Sequence, residues 1–189
     1  MKRLVTLLFA VLMTATLAGC SLSDIFPGES GAAGADAKDS VVTPDEDGYA
    51  EGRMGSTMRT YFFDYTVNSA FVCSEYEGYT PADGNELLVV DMTVKNTFHE
   101  SLSMFDTDFQ AQWNDSAEDA YSYPVENGDG ISTKILPGEY TLNVDESRSG
   151  QLIFEVPAGH KDFSISYMEF FDDNSTGDTF FVFFTADQK

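Results

Sequence analysis

The chain has 189 residues, with 32 acidic side chains against 10 lysines and arginines and a formal net charge of −22. A surplus of that sign argues against a nucleic-acid partner and against an electrostatic grip on anionic lipid, and it fits a solvated acidic surface, basic partners or cations. The length accommodates one domain and a tail, and with only 2 cysteines no thiolate-rich metal centre or disulfide framework is available.

Met1, Lys2 and Arg3 open the chain with positive charge. An apolar run from Leu4 to Leu17 follows, interrupted only by Thr6, Thr14 and Thr16. A basic start, a short apolar core and small residues before a cut describe an export signal. The run is shorter than the ~20 apolar residues that span a bilayer. It ends in Leu17-Ala18-Gly19-Cys20, which resembles the bacterial lipobox. The resemblance implies cleavage between Gly19 and Cys20 and a diacylglyceryl group on the Cys20 thiol. Residues 1–19 are thus expected to be a lipoprotein signal peptide. The expected partner is the outer face of the cell membrane, held through lipid on Cys20, since two acyl chains anchor where one binds only marginally. Loss of Lys2 and Arg3 would take the net charge to about −24. Cys73 would remain as the single free thiol, and its setting in Ala70-Phe71-Val72-Cys73 predicts a small buried hydrophobe.

Residues 20–52 are expected to form an acylated cysteine and a flexible acidic linker. Beyond Cys20 the segment carries Asp24, Glu29, Asp36, Asp39, Asp45, Glu46, Asp47 and Glu51 against Lys38. Low hydrophobicity with net negative charge predicts disorder, and a coil of this length reaches roughly 30 Å. Asp45-Glu46-Asp47-Gly48 is not an EF-hand, because Met54 stands where the loop needs its bidentate Glu.

Residues 53–189 read as strand after strand. Thr60 to Val67 alternates, with Tyr61, Phe63, Tyr65 and Val67 on one face; Phe71 to Tyr76 is a short second run. Glu86 to Asn96 puts Leu88, Val90, Met92 and Val94 on one side. Phe105 to Trp113 is expected to turn Phe105, Thr107, Phe109, Ala111 and Trp113 inward and Asp106, Asp108, Gln110 and Gln112 outward. Gln151 to Val156, Lys161 to Phe171 and Thr179 to Thr185 complete the set, with residues 172–178 as a hairpin connector. Pro157 closes its strand because it cannot donate to a ladder. Phe180-Phe181-Val182-Phe183-Phe184 predicts a central strand covered on one face and at least partly on the other, or alternatively an exposed aromatic strip. No segment shows a helical period, so the fold class is all-β: an antiparallel β-sandwich of about seven to nine strands behind a disordered tether.

Leu87-Leu88-Val89-Val90-Asp91-Met92-Thr93-Val94-Lys95-Asn96, Phe109-Gln110-Ala111 and Gly150-Gln151-Leu152-Ile153-Phe154-Glu155-Val156-Pro157 resemble a family of immunoglobulin-like domains of unknown function in lipoproteins of Gram-positive bacteria. The resemblance spans roughly residues 53–186. It implies an immunoglobulin-like fold and an extracytoplasmic setting, and it carries no catalytic residue.

His99 and His160 are the only histidines, and neither a nucleophile elbow nor a phosphate-binding loop occurs. No catalytic residue and no cofactor-binding residue is assigned. Oxygen-rich calcium binding is the chemistry the residue types suit best. Its candidate ligands are Asp106 and Asp108 on one strand and Asp172, Asp173 and Asp178 in one connector, with Asp115, Glu118 and Asp119 as a further acidic loop. The function expected is a membrane-anchored, non-enzymatic binding or interaction module for an unknown protein or envelope ligand. A calcium-binding adhesion-type domain and a carboxylate-dependent cell-envelope hydrolase are the alternatives.

Overall fold

Asn85–Asn96 (β5) shows why this chain folds as layered sheets. Leu88, Val90, Met92 and Val94 are fully buried on one side, and Leu87 and Val89 are fully buried on the other. A strand apolar on both faces belongs at the centre of a sheet with cover above and below. β5 pairs antiparallel with Phe63–Cys73 (β4) on one edge and Ser147–Pro157 (β10) on the other. Thr57–Arg59 (β3) and Val41–Val42 (β1) extend the sheet beyond β4, and Asp187–Gln188 (β13) also pairs with β4.

The computed structural model describes residues 40–113, 120–126 and 132–189. Its second sheet runs Tyr49–Arg53 (β2), Thr176–Thr185 (β12), Asp162–Phe170 (β11), Gln110–Trp113 (β7) and Tyr121–Ser122 (β8) in that spatial order. Leu102–Phe105 (β6) and Glu139–Leu142 (β9) form a small separate ladder. The fold is thus an all-β, immunoglobulin-like sandwich, whose described residues divide into thirteen strand segments. The long strands coincide with the expected runs. Of the short ones, β1, β3, β8 and β13 extend the two sheets, and β9 pairs with β6 in the separate ladder.

Between the sheets lies one aromatic-rich core. Phe63, Tyr65, Phe109 and Tyr167 meet with ring centroids 4.7–6.3 Å apart, and Phe180, Val182, Phe154 and Leu152 pack around them. The Tyr65 and Tyr140 hydroxyls are buried with no hydrogen-bond partner among the described residues. Burial pushes both phenols well above the usual tyrosine range. A second, smaller core covers the back of the first sheet. Cys73, Leu87, Val89 and Ile153 lie there beneath Ile135, Tyr76, Tyr79 and Val125. Cys73 is accordingly the small buried hydrophobe expected of it, and burial raises its thiol pKa.

Four expectations need correction. The runs at 60–67 and 71–76 are largely one strand, β4, because a bulge at Asn68 keeps Ala70 and Val72 on the core side after Val67. Tyr61 precedes that strand and is 61% exposed. The run at 105–113 is not continuous, since Asp106–Asp108 forms a 3-10 turn that separates β6 from β7. The turn leaves Phe105 and Thr107 exposed and draws Asp106 and Asp108 partly inward, while Phe109 and Ala111 are buried as expected. Finally, the domain begins before residue 53, for β1 and β2 lie in the segment read as acidic linker. Composition pointed to disorder there, but backbone pairing with β3 and β12 holds both pieces.

Both ends of the domain pass from one sheet to the other. The N-terminal end runs from β1 in the first sheet to β2 in the second, and the C-terminal end runs from β12 back to β13 on β4. Each of these end segments pairs in parallel. Gly52 permits the first crossing, because a β-carbon there would overlap the Met58 sulfur of β3.

Truncating the doubly covered strand is the direct test of this arrangement. Leu88→Ala should cost about 2–5 kcal/mol by denaturant unfolding. Val41→Ala, at an exposed edge position, should stay within about 0.5 kcal/mol.

Candidate functional site

The outer face of the second sheet carries the exposed chemistry. Alternation turns Phe180, Val182, Ile165, Tyr167 and Ala111 into the core and sends their neighbours outward. Strand register then aligns the outward groups in rows. One row runs Arg53, Phe183, Ser164, Gln112, Tyr121, and the next begins Glu51, Phe181, Ser166, Gln110. Tyr123 completes this second row, its hydroxyl accepting from Gln110 Nε2 at 2.6 Å. Gln112 Nε2 donates to Ser166 Oγ at 3.2 Å. Phe181 and Phe183 stack at 6.0 Å and 20°, and Tyr121 and Tyr123 meet edge to face at 6.0 Å.

Ser164 and Ser166 are only 5% and 6% exposed. The taller side chains beside them make the surface level. Five of the nine large apolar side chains exposed among the described residues stand on this face: Tyr49, Tyr121, Tyr123, Met168 and Phe170. The expectation for 180–184 holds on the inward side, where Phe180, Val182 and Phe184 are buried. Outward, Phe181 and Phe183 are half-buried, with the Arg53 guanidinium 5.6 Å from the Phe183 ring centroid.

No charged side chain interrupts the middle of these rows; Glu51 and Arg53 lie on the edge strand and Asp162 at the end of β11. The outer face of the first sheet differs. It carries the Arg59–Asp64 ion pair at 3.0 Å, and Asp91 accepts from Asn68 Nδ2 at 3.0 Å.

A second feature is a cleft of about 410 Å³ lined by Pro44, Arg59, Tyr61, Glu169, Phe171 and Asp178, among others. Glu169 is 3% exposed. Its Oε1 accepts from the Tyr61 amide at 2.7 Å and its Oε2 from the Asp178 amide at 3.1 Å. Both oxygens are therefore occupied by backbone. The carboxylate braces the loop before β4 against the β11–β12 hairpin, and charge-assisted bonds of this kind are the stronger sort. Gly177 makes room for it, since a β-carbon there would overlap Glu169 Oε2.

The sequence-expected residues are dispersed by comparison. Asp106 and Asp108 lie in the 3-10 turn, where Asp108 Oδ2 accepts from the Phe105 amide at 2.8 Å. Burial raises the pKa of both, helped at Asp106 by the charge of Glu126 and at Asp108 by that of Asp106. Asp172 and Asp173 sit in the β11–β12 turn, whereas Asp178 belongs to β12 rather than to the connector. The Asp173 carboxylate is held below the usual range by the Ser175 hydroxyl and amide, at 2.6 and 2.9 Å. Among the described residues no group of three or more His, Cys, Asp or Glu side chains is placed to hold a metal ion. Gly19, Cys20, Asp115, Glu118 and Asp119 lie outside the described residues.

His99 and His160 follow opposite ends of the β5–β10 ladder, in which Pro157 pairs with Asn85 and Ser147 with Lys95. The length of β5 puts the two ends roughly 35–40 Å apart. His99 packs on Phe98 at 4.0 Å, and His160 stands 6.3 Å from Trp113.

A family model described as a domain of unknown function (DUF4352) matches residues 53–176. The chain belongs to this family. Its fold recurs in the yjhA protein of Bacillus subtilis, at 21% identity and a TM-score of 0.52 over 72% of this chain and 99% of that one. A candidate lipoprotein of Staphylococcus aureus is similar in structure at 9% identity and TM-score 0.52, over 72% and 94% of the two chains. The candidate lipoprotein ycdA of Bacillus subtilis gives 21% identity and TM-score 0.51 over 69% of this chain, which spans 38% of ycdA. These likenesses establish the sandwich. Among curated proteins no sequence matches the chain.

Two substitutions separate brace from burden. Glu169→Ala should lower stability by about 1–3 kcal/mol in all, because water reaches the part-buried Tyr61 and Asp178 amides in the cleft and replaces some of what is lost. Glu169→Gln keeps one acceptor oxygen and should lose less. Equal urea midpoints for Glu169→Ala and wild type would remove the brace.

Asp108 works in the other direction. Its folded pKa is raised, so the folded state holds its proton more tightly than the unfolded chain, and stability falls as pH rises through that window and stays lower above it. Asp108→Asn retains an oxygen for the Phe105 amide and should flatten this loss. Thermal melts from acidic to neutral pH should show a gain at neutral pH that vanishes below the unfolded pKa.

Proposed function

We propose that this protein is an extracytoplasmic module, tethered to the membrane by lipid on Cys20, that binds an envelope component without catalysing a reaction. The contact surface in this reading is the outer face of the β2-β12-β11-β7-β8 sheet. The observation that carries it is the concentration of exposed aromatic and amide groups on that face, free of charge at its centre, in a chain of net charge −22. Exposed apolar groups gathered on one face mark interaction sites, whereas scattered ones need no explanation. The tether supports the reading from the other end of the chain. Leu17-Ala18-Gly19-Cys20 has the lipobox pattern, and two of the structurally similar proteins are themselves candidate lipoproteins.

Two measurements test the two halves. Cys20→Ala should move the protein out of the membrane fraction of wall-digested cells while leaving its thermal melt unchanged; retention on those wall-free membranes would defeat the lipid tether. Purified Cys20→Ala protein, which lacks the lipid, should co-sediment with isolated cell envelopes that retain their wall. Tyr121→Glu with Tyr123→Glu, which places charge on the exposed edge of the face, should abolish co-sedimentation without unfolding the domain. Undiminished co-sedimentation would move the contact surface elsewhere.

A further inference from the structure

We infer that the ligand of the outer sheet face is an uncharged polysaccharide strand lying across the strands; this rests on the binding-module reading above. Three properties of the face point to that chemistry.

The first is its pairing of rings with neutral hydrogen-bonding groups. A sugar ring offers an apolar face of C–H groups and a rim of hydroxyls. The first packs on an aromatic ring, and the second suits groups that both donate and accept. Phe181 and Phe183 stack on one side of the face, and Tyr121 and Tyr123 lie on the other. Gln110 and Gln112 stand between them, with Ser164 and Ser166 beneath. An amide side chain presents donors and an acceptor together, as a diol requires.

The second property is charge. A chain with 32 acidic residues places none in the middle of these rows. On β11 and β7 a phosphodiester or uronate polymer would find no cation: Arg53 stands on the edge strand and is already engaged over the Phe183 ring. A basic protein would find a carboxylate only at that same edge, on Glu51.

The third is layout. The aromatic pairs stand on β12 and β8, three strand spacings apart, or roughly 14 Å. A ligand that touches both must be extended, because one sugar ring does not reach. Along the two rows that hold the aromatic pairs, the polar groups occupy the centre and the rings flank them; the exposed apolar groups of β11, Met168 and Phe170, lie beyond these rows towards its C-terminal end. A protein–protein interface has the reverse arrangement, an apolar centre inside a polar rim. A second copy of the chain therefore fits the face less well than a glycan does.

The test is calorimetric titration of the purified full-length protein with two uncharged probes, hexa-N-acetylchitohexaose and cellohexaose, and with polygalacturonate as the anionic comparison. At least one hexasaccharide should bind saturably, with affinity indifferent to added salt because no charge is matched, and polygalacturonate should not bind. Tyr121→Ala with Tyr123→Ala should weaken binding about tenfold, since each stacked ring is worth a factor of a few, with an unchanged melting temperature. The inference falls if neither hexasaccharide binds, or if the double substitution leaves the affinity unchanged. If envelopes still co-sediment through this face while both hexasaccharides fail, the glycan assignment is lost and the binding-module reading stands. A concentration-dependent dimer abolished by Tyr121→Ala and Tyr123→Ala, without glycan binding, overturns the glycan in favour of self-association.

Discussion

Burial of β5 from both sides is the constraint on which the rest of the molecule is arranged. Leu88, Val90, Met92 and Val94 need the second sheet above them, and Leu87 and Val89 need cover below. The first demand produces the sandwich and its aromatic core. The second pulls residues 124–126 and 132–136 against the back of the first sheet, where Ile135 bridges to Gln151 and Pro124 to Phe154. No disulfide contributes, since Cys73 is a free thiol inside the smaller core. Stability therefore comes from apolar area, at roughly 1.5–3 kcal/mol for each large side chain fully buried, set against the entropy of ordering the chain.

That demand also divides the labour between the sheets. The first sheet spends much of its outer surface on the small core and leaves the remainder to Asp64, Asp91, Lys95 and their partners. Among the described residues the second sheet has a single covered face. Its other side is free to present Phe181, Phe183, Gln110, Gln112 and the two tyrosines. Glu169 fixes the hairpin from which β12 returns, so one buried carboxylate helps hold the strands that display this surface.

The strands were legible because alternation is a local signal. β5, β10 and β12 each show it within a dozen residues, and in β12 the residues on both faces were apolar enough to read; the apolar back of β5, Leu87 and Val89, was not read. Local signals failed where geometry intervened. Asp106 and Asp108 keep the two-residue spacing of a strand, yet the Phe105 amide finds the Asp108 carboxylate and the backbone tightens into a 3-10 turn. Residues 41–53 have the composition of a linker, but their backbones complete two sheet edges, and composition says little about backbone pairing. The outer face of the second sheet was the least accessible part. Phe183, Ser164, Gln112 and Tyr121 become neighbours only through the spatial order β12-β11-β7-β8, which joins strands far apart in sequence. Glu169 was missed for a similar reason, since its partner Tyr61 lies 108 positions away.

The crossing of the N-terminal end between sheets has a mechanical consequence. Any pull transmitted through the residues before Ser40 reaches β1 and β2, each paired in parallel with its neighbour. Tension along parallel strands loads their hydrogen bonds in shear, so several must yield together; an antiparallel hairpin pulled at its open end unzips one rung at a time. β2 shares five registered positions with β12, and β12 is clasped on its other side by β11. A domain loaded at this end therefore resists being peeled apart.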